Sequence, residues 1–450
     1  MGGATHGSPK RTRPFTVTNR MVWAITIPMT FAFLTTPLIG LTDVAVVGRV
    51  GDAVALGGLT VGALIFDFAF ATCNFIRSGT TGLTAQAFGA DDGREGQAVF
   101  WRAAILALGI GLFLVLAEPL VVWLGLLAVS PGDAVAETVS EYVFVRMFSA
   151  PFALMNYAIL GYVLGLGRGT LGLALQVVVN GVNIALSILF GLVLGWGIFG
   201  VALGTVCGEA AGAIVGLIVV LRGFDPNEKP SLQRILDRTG FTRMIAVNRD
   251  IMIRSFCLLS AFTIFARFGA GFGAVTLAAN GILMNFFLVG GYFLDGMATA
   301  SEQLAGRSVG ANWRPAFEKT LKLTILWGFV LAGGLSAILL FGGEALIAFL
   351  TTDADVREKA ETFLLFAALT PIAGSLAFIM DGIFIGATWS RTMRDMMLAS
   401  LAVFVVCAYS FVPLFGNTGL WAAMLIFLGA RGVLLLALTP PNRDRTFAGA

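Results

Sequence analysis

The sequence predicts an all-α polytopic membrane protein of twelve transmembrane helices, arranged as two six-helix bundles related by a parallel, pseudo-twofold repeat. Composition is the first reason. Of 450 residues, 57% are hydrophobic and only 12% are charged, against about 25% charged in a soluble globular chain. A soluble core of this size needs a polar shell that so few charges cannot supply. The 56 Gly and 38 Phe suit helices packed in lipid, where small residues let backbones approach. The second reason is the recurrence of apolar stretches long enough to cross ~30 Å of hydrocarbon. The third is a duplication of the chain at one fixed offset.

The spans read in order as 23–47, 54–88, 98–126, 140–165, 170–192 and 196–221, then 249–270, 275–308, 318–343, 361–387, 392–412 and 416–438. The second and eighth exceed one plain crossing and are expected to tilt or to run on into the cytoplasm. Basic residues set the orientation. The tails and even-numbered loops hold Lys10, Arg11, Arg13, Arg20, Arg94, Arg168, Arg222, Lys229, Arg234, Arg238, Arg243, Arg314, Arg391, Arg443 and Arg445. The opposite loops hold little beyond Arg49, Arg357 and Lys359, and include the acidic Asp133, Glu137 and Glu141. By the positive-inside rule both termini face the cytoplasm, in a cell (inner) membrane. No removable signal peptide is read in the first twenty residues, so helix 1 is expected to act as the uncleaved insertion signal.

A shift of 221 residues aligns Asp52-Ala-Val-Ala-Leu-Gly-Gly58 with Gly273-Ala-Val-Thr-Leu-Ala-Ala279, Gly79–Ala90 with Ala300–Ala311, and Gly161-Tyr-Val-Leu-Gly165 with Gly382-Ile-Phe-Ile-Gly386. Six spans per copy is even, so both copies insert with one orientation, and a site is expected between the lobes near the midplane. The expected organisation is a tail (1–20), a first lobe with helices 1–6 (21–221), a charged linker with Pro226 and Pro230 (222–248), a second lobe with helices 7–12 (249–438) and a tail (439–450).

A carboxylate at a helix centre costs about 2.5–3.5 kcal/mol on insertion scales, so each one calls for a function or a partner. The candidates are Asp43 in helix 1, Asp67 in helix 2, Glu209 in helix 6, Asp295 and Glu302 in helix 8, and Asp381 in helix 10. Out of water a carboxyl group favours its neutral acid. Such a group takes a proton from one side and releases it when water or a cation arrives. Asp43, Asp295 and Asp381 are the candidates for proton or cation coupling. Arg77 and Arg254 are the basic counterparts, with Glu209 and Glu302 read as intramembrane charge pairs with them. Glu118, before Pro119, is explained by snorkelling.

Pro28 and Pro37 each remove a backbone donor in helix 1 and are read as a hinge beside Asp43, with a static kink as the other reading. Asn180 and Asn183 share a face of helix 5, and Gln176 stands one turn earlier. With Ser187, Asn280, Met284 and Asn285 they are candidates to line a substrate cavity, although asparagines in membranes also serve as interhelical hydrogen bonds. Phe66-Asp-Phe-Ala-Phe70 and Met284-Asn-Phe-Phe287 suit packing surfaces or a broad-specificity pocket equally.

Several classes are excluded. Cys73, Cys207, Cys257 and Cys407 all lie in apolar stretches with neither disulfide nor metal spacing, and the one His, His6, is in the tail. No nucleotide-binding loop, catalytic Ser/His/Asp set or nucleic-acid patch is read, so no enzyme activity, cofactor, metal or nucleic-acid partner is expected. Energy must then come from an ion gradient, about 2.3 kcal/mol per charge across 100 mV.

Leu41-Thr-Asp-Val-Ala-Val-Val-Gly-Arg49, followed by Phe75-Ile-Arg-Ser-Gly-Thr-Thr-Gly-Leu-Thr-Ala-Gln86, resembles the multidrug and toxic compound extrusion (MATE) family. Phe293-Leu-Asp-Gly296 and Met380-Asp-Gly-Ile-Phe-Ile-Gly-Ala387 resemble its DinF-like branch, and the likeness spans about residues 20–438. The resemblance implies two six-helix bundles, a central cleft, and efflux of organic, often cationic or amphiphilic compounds in exchange for H⁺ or Na⁺. It matches Asp43 to the family's helix 1 carboxylate, Pro28 to the proline where that helix bends, and Asp381 to a helix 10 carboxylate of other branches. One departure stands out. DinF-like members often read Asn-Ile-x-Leu-Asp in helix 5, whereas Asn183-Ile-Ala-Leu-Ser187 ends in Ser. Coupling by Asp43 alone is therefore expected, with Asp295 and Asp381 as a separate site in the second lobe. The expectation is a monomeric secondary antiporter that alternates access between its lobes. A flippase for lipid-linked precursors is the alternative, but it calls for a basic cleft that Arg77 and Arg254 supply poorly. A major-facilitator symporter shares the span count and repeat, yet its basic loop motif is absent at Gly89-Ala-Asp-Asp-Gly-Arg-Glu95.

Overall fold

The computed structural model describes residues 12–50 and 53–448. His6, Lys10 and Arg11 of the tail, and Asp52 at the start of one repeat match, lie outside the described residues. The described residues are helical almost throughout, with no strand among them.

Each of the first four spans is built from two consecutive helices. These are α1 (Asn19–Leu34) and α2 (Thr36–Val50), α3 (Ala53–Cys73) and α4 (Phe75–Ala90), α5 (Gly93–Leu116) and α6 (Glu118–Val129), then α7 (Asp133–Met147) and α8 (Ala150–Gly165). Proline explains three of the four breaks. Pro37, Pro119 and Pro151 each stand second in the downstream helix. There the missing N–H would be unpaired anyway, while continuation of the upstream helix through the ring is blocked. The axis turns by 49° between α7 and α8. Pro28, in contrast, lies inside α1. Helix 1 is interrupted at Thr35, beside Pro37, rather than at Pro28, and the second span breaks at Asn74 instead of running on as one long helix.

The rest follows in order. α9 (Gly169–Ser187) passes into a π turn (Ile188–Val193), and α10 (Gly197–Arg222) completes the first six spans. After Pro226 and Pro230 comes the short α11 (Leu232–Ile235), held by Arg102 of α5, which donates to the carbonyls of Arg234 (2.5 Å) and Ile235 (3.0 Å). α12 (Arg238–Ala270) begins within the segment read as linker, because the Asp237 carboxylate caps it by accepting from the Gly240 amide at 2.7 Å. α13 (Ala274–Gly310), α14 (Arg314–Leu350) and α15 (Ala354–Gly386) are single helices, and α16 (Ser390–Thr446) is interrupted at Gly416. At φ 57° and ψ −135° this is a backbone geometry that glycine alone adopts without strain. Ten helical stretches among the described residues are long and apolar enough to cross a membrane, the bent pair α7–α8 adds an eleventh, and the break at Gly416 divides α16 to make twelve.

The duplication is visible in local geometry. Asp91 and Asn312 both turn left-handed (φ 53° and 50°), as do Gly167 and Thr388 (75° and 56°), and the members of each pair are 221 residues apart. Gly161 lies against Arg77 and Thr80, and Gly382 lies against Ala298 and Ser301, contacts related by the same offset. The described residues form two compact units: a first drawn from residues 27–81 and 97–256, and a second from those up to 26, 82–96 and from 257 onward. In the first, Gly204 and Gly208 of α10 approach the backbone of Ser187 and Asn183 so closely that a Cβ would overlap, which fixes the polar face of α9. In the second, Gly382 and Gly386 bring α15 equally close to α13. Phe341 and Phe349 of α14 are each 87% exposed, as befits a lipid-facing band on a multi-pass membrane protein.

Candidate functional site

In the first unit, Asp43 lies on α2, 5% exposed, and its Oδ1 has no hydrogen-bond partner among the described residues. The buried Ser187, last residue of α9, faces this carboxyl group. Its Oγ also stands 3.2 Å from Asn183 Oδ1. A hydroxyl has one proton to give, so Ser187 donates to Asn183 or to Asp43 but not to both. Asn180, one turn earlier on the same face, donates to Thr35 Oγ1 at 2.5 Å. The polar face of α9 is thereby tied to the residue at which helix 1 breaks. Gln176, a further turn back, is half-buried.

Arg146, near the end of α7, supplies the positive charge. It interacts electrostatically with Asp43, Asp67 and Glu209. Its guanidinium lies 4.1 Å from the centroid of the Phe66 ring and 5.5 Å from that of Tyr142, and it donates to the Tyr142 hydroxyl. Among the described residues no carboxylate approaches it within 4.0 Å. Glu209 on α10 accepts from Asn156 Nδ2 at 2.7 Å. Arg77 donates to Asn74 (3.0 Å) and Ser78 (3.1 Å) and lies over the Phe33 ring at 5.9 Å, and Arg254 is half-buried on α12.

In the second unit, Asp381 on α15 forms an ion pair with Arg431 at 2.7 Å, with side chains 7% and 2% exposed. A guanidinium so placed fills the space a coupling ion would need at that oxygen. Asp295 on α13 is half-buried, and Glu302 on the same helix is buried. Asn280 exchanges two hydrogen bonds with Asn417 (2.8 and 2.9 Å) and accepts a third from Trp421 at 2.9 Å. Its amide is thereby spent on joining α13 to the last span. Met284 is half-buried, and Asn285 is exposed. The structure thus gathers Asp43, Asn180, Asn183 and Ser187 in one unit and pairs Asp381 in the other.

The MatE family profile matches residues 28–189 and again 251–410, once in each repeat and over more than half of the chain. The chain belongs to the MatE family. It is 34% identical to the DNA damage-inducible protein F of Escherichia coli (strain K12) over 436 residues, covering 94% of this chain and 92% of that one. This agrees with the DinF-like branch read from the motifs. It is 26% identical to the probable multidrug resistance protein NorM of Chromobacterium violaceum over 444 residues, 92% of each chain. The solved structure of MATE in the bent conformation shares the fold, with a TM-score of 0.86 over 96% of each chain at 19% identity. MatE membership places this membrane protein in a class of transporters.

Sequence reasoning missed two residues of this MatE chain, Arg146 and Arg431. Arg431 carries the same signal as the carboxylates, a charge inside the apolar span 416–438. Arg146 stands early in the span 140–165, where snorkelling to the interface is the ordinary reading of an arginine. Only the fold shows that it turns inward, onto Phe66 and Tyr142.

Proposed function

We propose that the protein is a secondary active antiporter. It exports small organic compounds, cationic or amphiphilic, in exchange for H⁺ or Na⁺ moving inward, and its halves alternate access to the two sides. The observation that carries this reading is Asp43: a carboxyl group buried in a membrane helix, with one oxygen left unpartnered, about two turns past the break in that helix. Ionised, Asp43 holds a cation. Protonated, it is neutral and lets the cation go. Exchanged one for one, an inward proton and an outward monocation move no net charge, so the pH difference drives the exchange: one pH unit supplies about 1.4 kcal/mol, enough for about a tenfold substrate gradient. The Asp381–Arg431 ion pair leaves Asp43 as the simpler coupling group. Pro28 supports a hinge role, since α1 passes from one compact unit to the other between Thr26 and Ile27. The multidrug names carried by relatives, such as probable multidrug resistance protein NorM, support the substrate class. In this reading the protein works as a monomer in the inner membrane with both termini in the cytoplasm.

The test is transport by purified protein in lipid vesicles with an imposed pH or Na⁺ gradient. Wild type is expected to move an organic cation such as ethidium against its gradient, and Asp43→Asn to lose that driven transport. Undiminished driven efflux by Asp43→Asn would sink the mechanism.

A further inference from the structure

We propose that Arg146 is a tethered cation occupying an organic-cation subsite, formed by Phe66, Phe70 and Tyr142 with the carboxylates of Asp43 and Asp67, and that a substrate cation binds there by taking its place. The biological sense of this inference rests on the antiport reading, while its geometry does not.

Phe66 and Phe70 stack with ring centroids 4.0 Å apart and planes 9° from parallel. Both are buried, as is Tyr142. A cation over such a face is attracted by the ring quadrupole, and this is how proteins take organic cations that cannot donate hydrogen bonds. The Arg146 guanidinium sits over the Phe66 face at 4.1 Å, where such a ligand would sit.

Arg146 is held lightly there. Among the described residues its guanidinium has one hydrogen-bond acceptor, the Tyr142 hydroxyl, and no carboxylate within 4.0 Å. Arg431, with a carboxylate at 2.7 Å and both side chains buried, shows what a fixed intramembrane arginine looks like in this chain. The negative side of the subsite is also incomplete, since Oδ1 of the buried Asp43 lacks a donor. Asp67 is exposed on α3. An exposed carboxylate within a membrane span faces water rather than lipid, so the subsite has an entrance. Asp43, Asp67 and Glu209 are three carboxyl groups facing the one guanidinium. Whenever more than one of them is ionised the group attracts a further cation, while the aromatic surface that would hold it is already covered. A long, flexible arginine can swing off that surface, and an incoming cation then takes both the ring face and the carboxylates.

The experiment measures ethidium binding to the purified full-length protein in detergent by fluorescence. Arg146→Gln removes the tethered cation and keeps a polar side chain. It is expected to bind ethidium about tenfold more tightly than wild type. Adding Phe66→Ala to Arg146→Gln is expected to erase the gain. Methylguanidinium, a free copy of the lost group, is expected to compete with ethidium in Arg146→Gln more effectively than in wild type. Arg146→Lys, whose ammonium covers the ring less well, gives a smaller gain of about threefold and serves if the glutamine variant does not fold. A folded Arg146→Gln or Arg146→Lys that binds ethidium no more tightly than wild type overturns the proposal, as does a gain that survives Phe66→Ala. Failure of the antiport reading would look different: tighter binding by the variant alongside no gradient-driven ethidium efflux by wild-type vesicles.

Discussion

Asp43 and Asp381 are both buried carboxylates in membrane helices, and contact with a cation separates them. Asp381 touches Arg431 at 2.7 Å, whereas Asp43 has an unpartnered oxygen and shares Arg146 with two other carboxylates at longer range. A buried ion pair is costly to break by halves, because the remaining charge is left alone. Asp381→Leu or Arg431→Leu is therefore expected to destabilise the protein by about 3–5 kcal/mol, while the double replacement lies much closer to wild type. Thermal unfolding in detergent, followed by helical circular dichroism, checks this. If the double variant is as unstable as the singles, the pair is not what each residue contributes. At this scale the sequence was half legible. The cost of burying charge marks every carboxylate, and Ser187 shows at once where a second acid is missing. What each carboxylate meets depends on which way a neighbouring helix faces. Arg146 on α7 and Arg431 in the last span could not be assigned to their partners from position alone.

Among the elements, the breaks carry most of the information. Pro37, Pro119 and Pro151 interrupt three of the first four spans, and the break at Thr35 is tied to α9 through Asn180. Spans were readable because 20 or so apolar residues cross a bilayer whatever their sequence. The interruptions were less so, because the polar residues at these points, Asn74 before Arg77 and Glu118 before Pro119, are also tolerated inside or at the edge of a continuous span. Pro28 and Pro37 look alike on paper, yet only the second stands at a break. Glycine contacts obey the duplication more strictly than the side chains do. Gly161 and Gly382 occupy equivalent positions against Arg77 and Ala298, each too close for a Cβ. Gly161→Val and Gly382→Val are each expected to cost at least about 1–3 kcal/mol, since overpacking against backbone has little room to relax. Urea or thermal unfolding of the two variants checks it. Wild-type stability in either would show that the close approach is not required.

For the whole molecule, two repeats give one fold but not two equal sites. The offset of 221 residues reappears in paired left-handed turns and paired glycine contacts, so the repeat architecture was legible in the sequence. The division of labour was not, because neither Asp43 nor Asp381 is repeated: the offset pairs them with Ile264 and Leu160. The unit of residues 27–81 and 97–256 carries an unsatisfied acid, a lightly held arginine and an aromatic stack, while the other carries a closed ion pair. The central claim is that one carboxylate, Asp43, exchanges a proton for a cationic substrate. The most direct measurement is proton release when ethidium binds to purified protein in weakly buffered detergent, read with a pH dye on the acidic side of neutral. Wild type is expected to release up to about one proton per ethidium bound, as binding to the ionised acid requires by linkage, and Asp43→Asn to bind without release. Equal proton release from wild type and Asp43→Asn would contradict the claim.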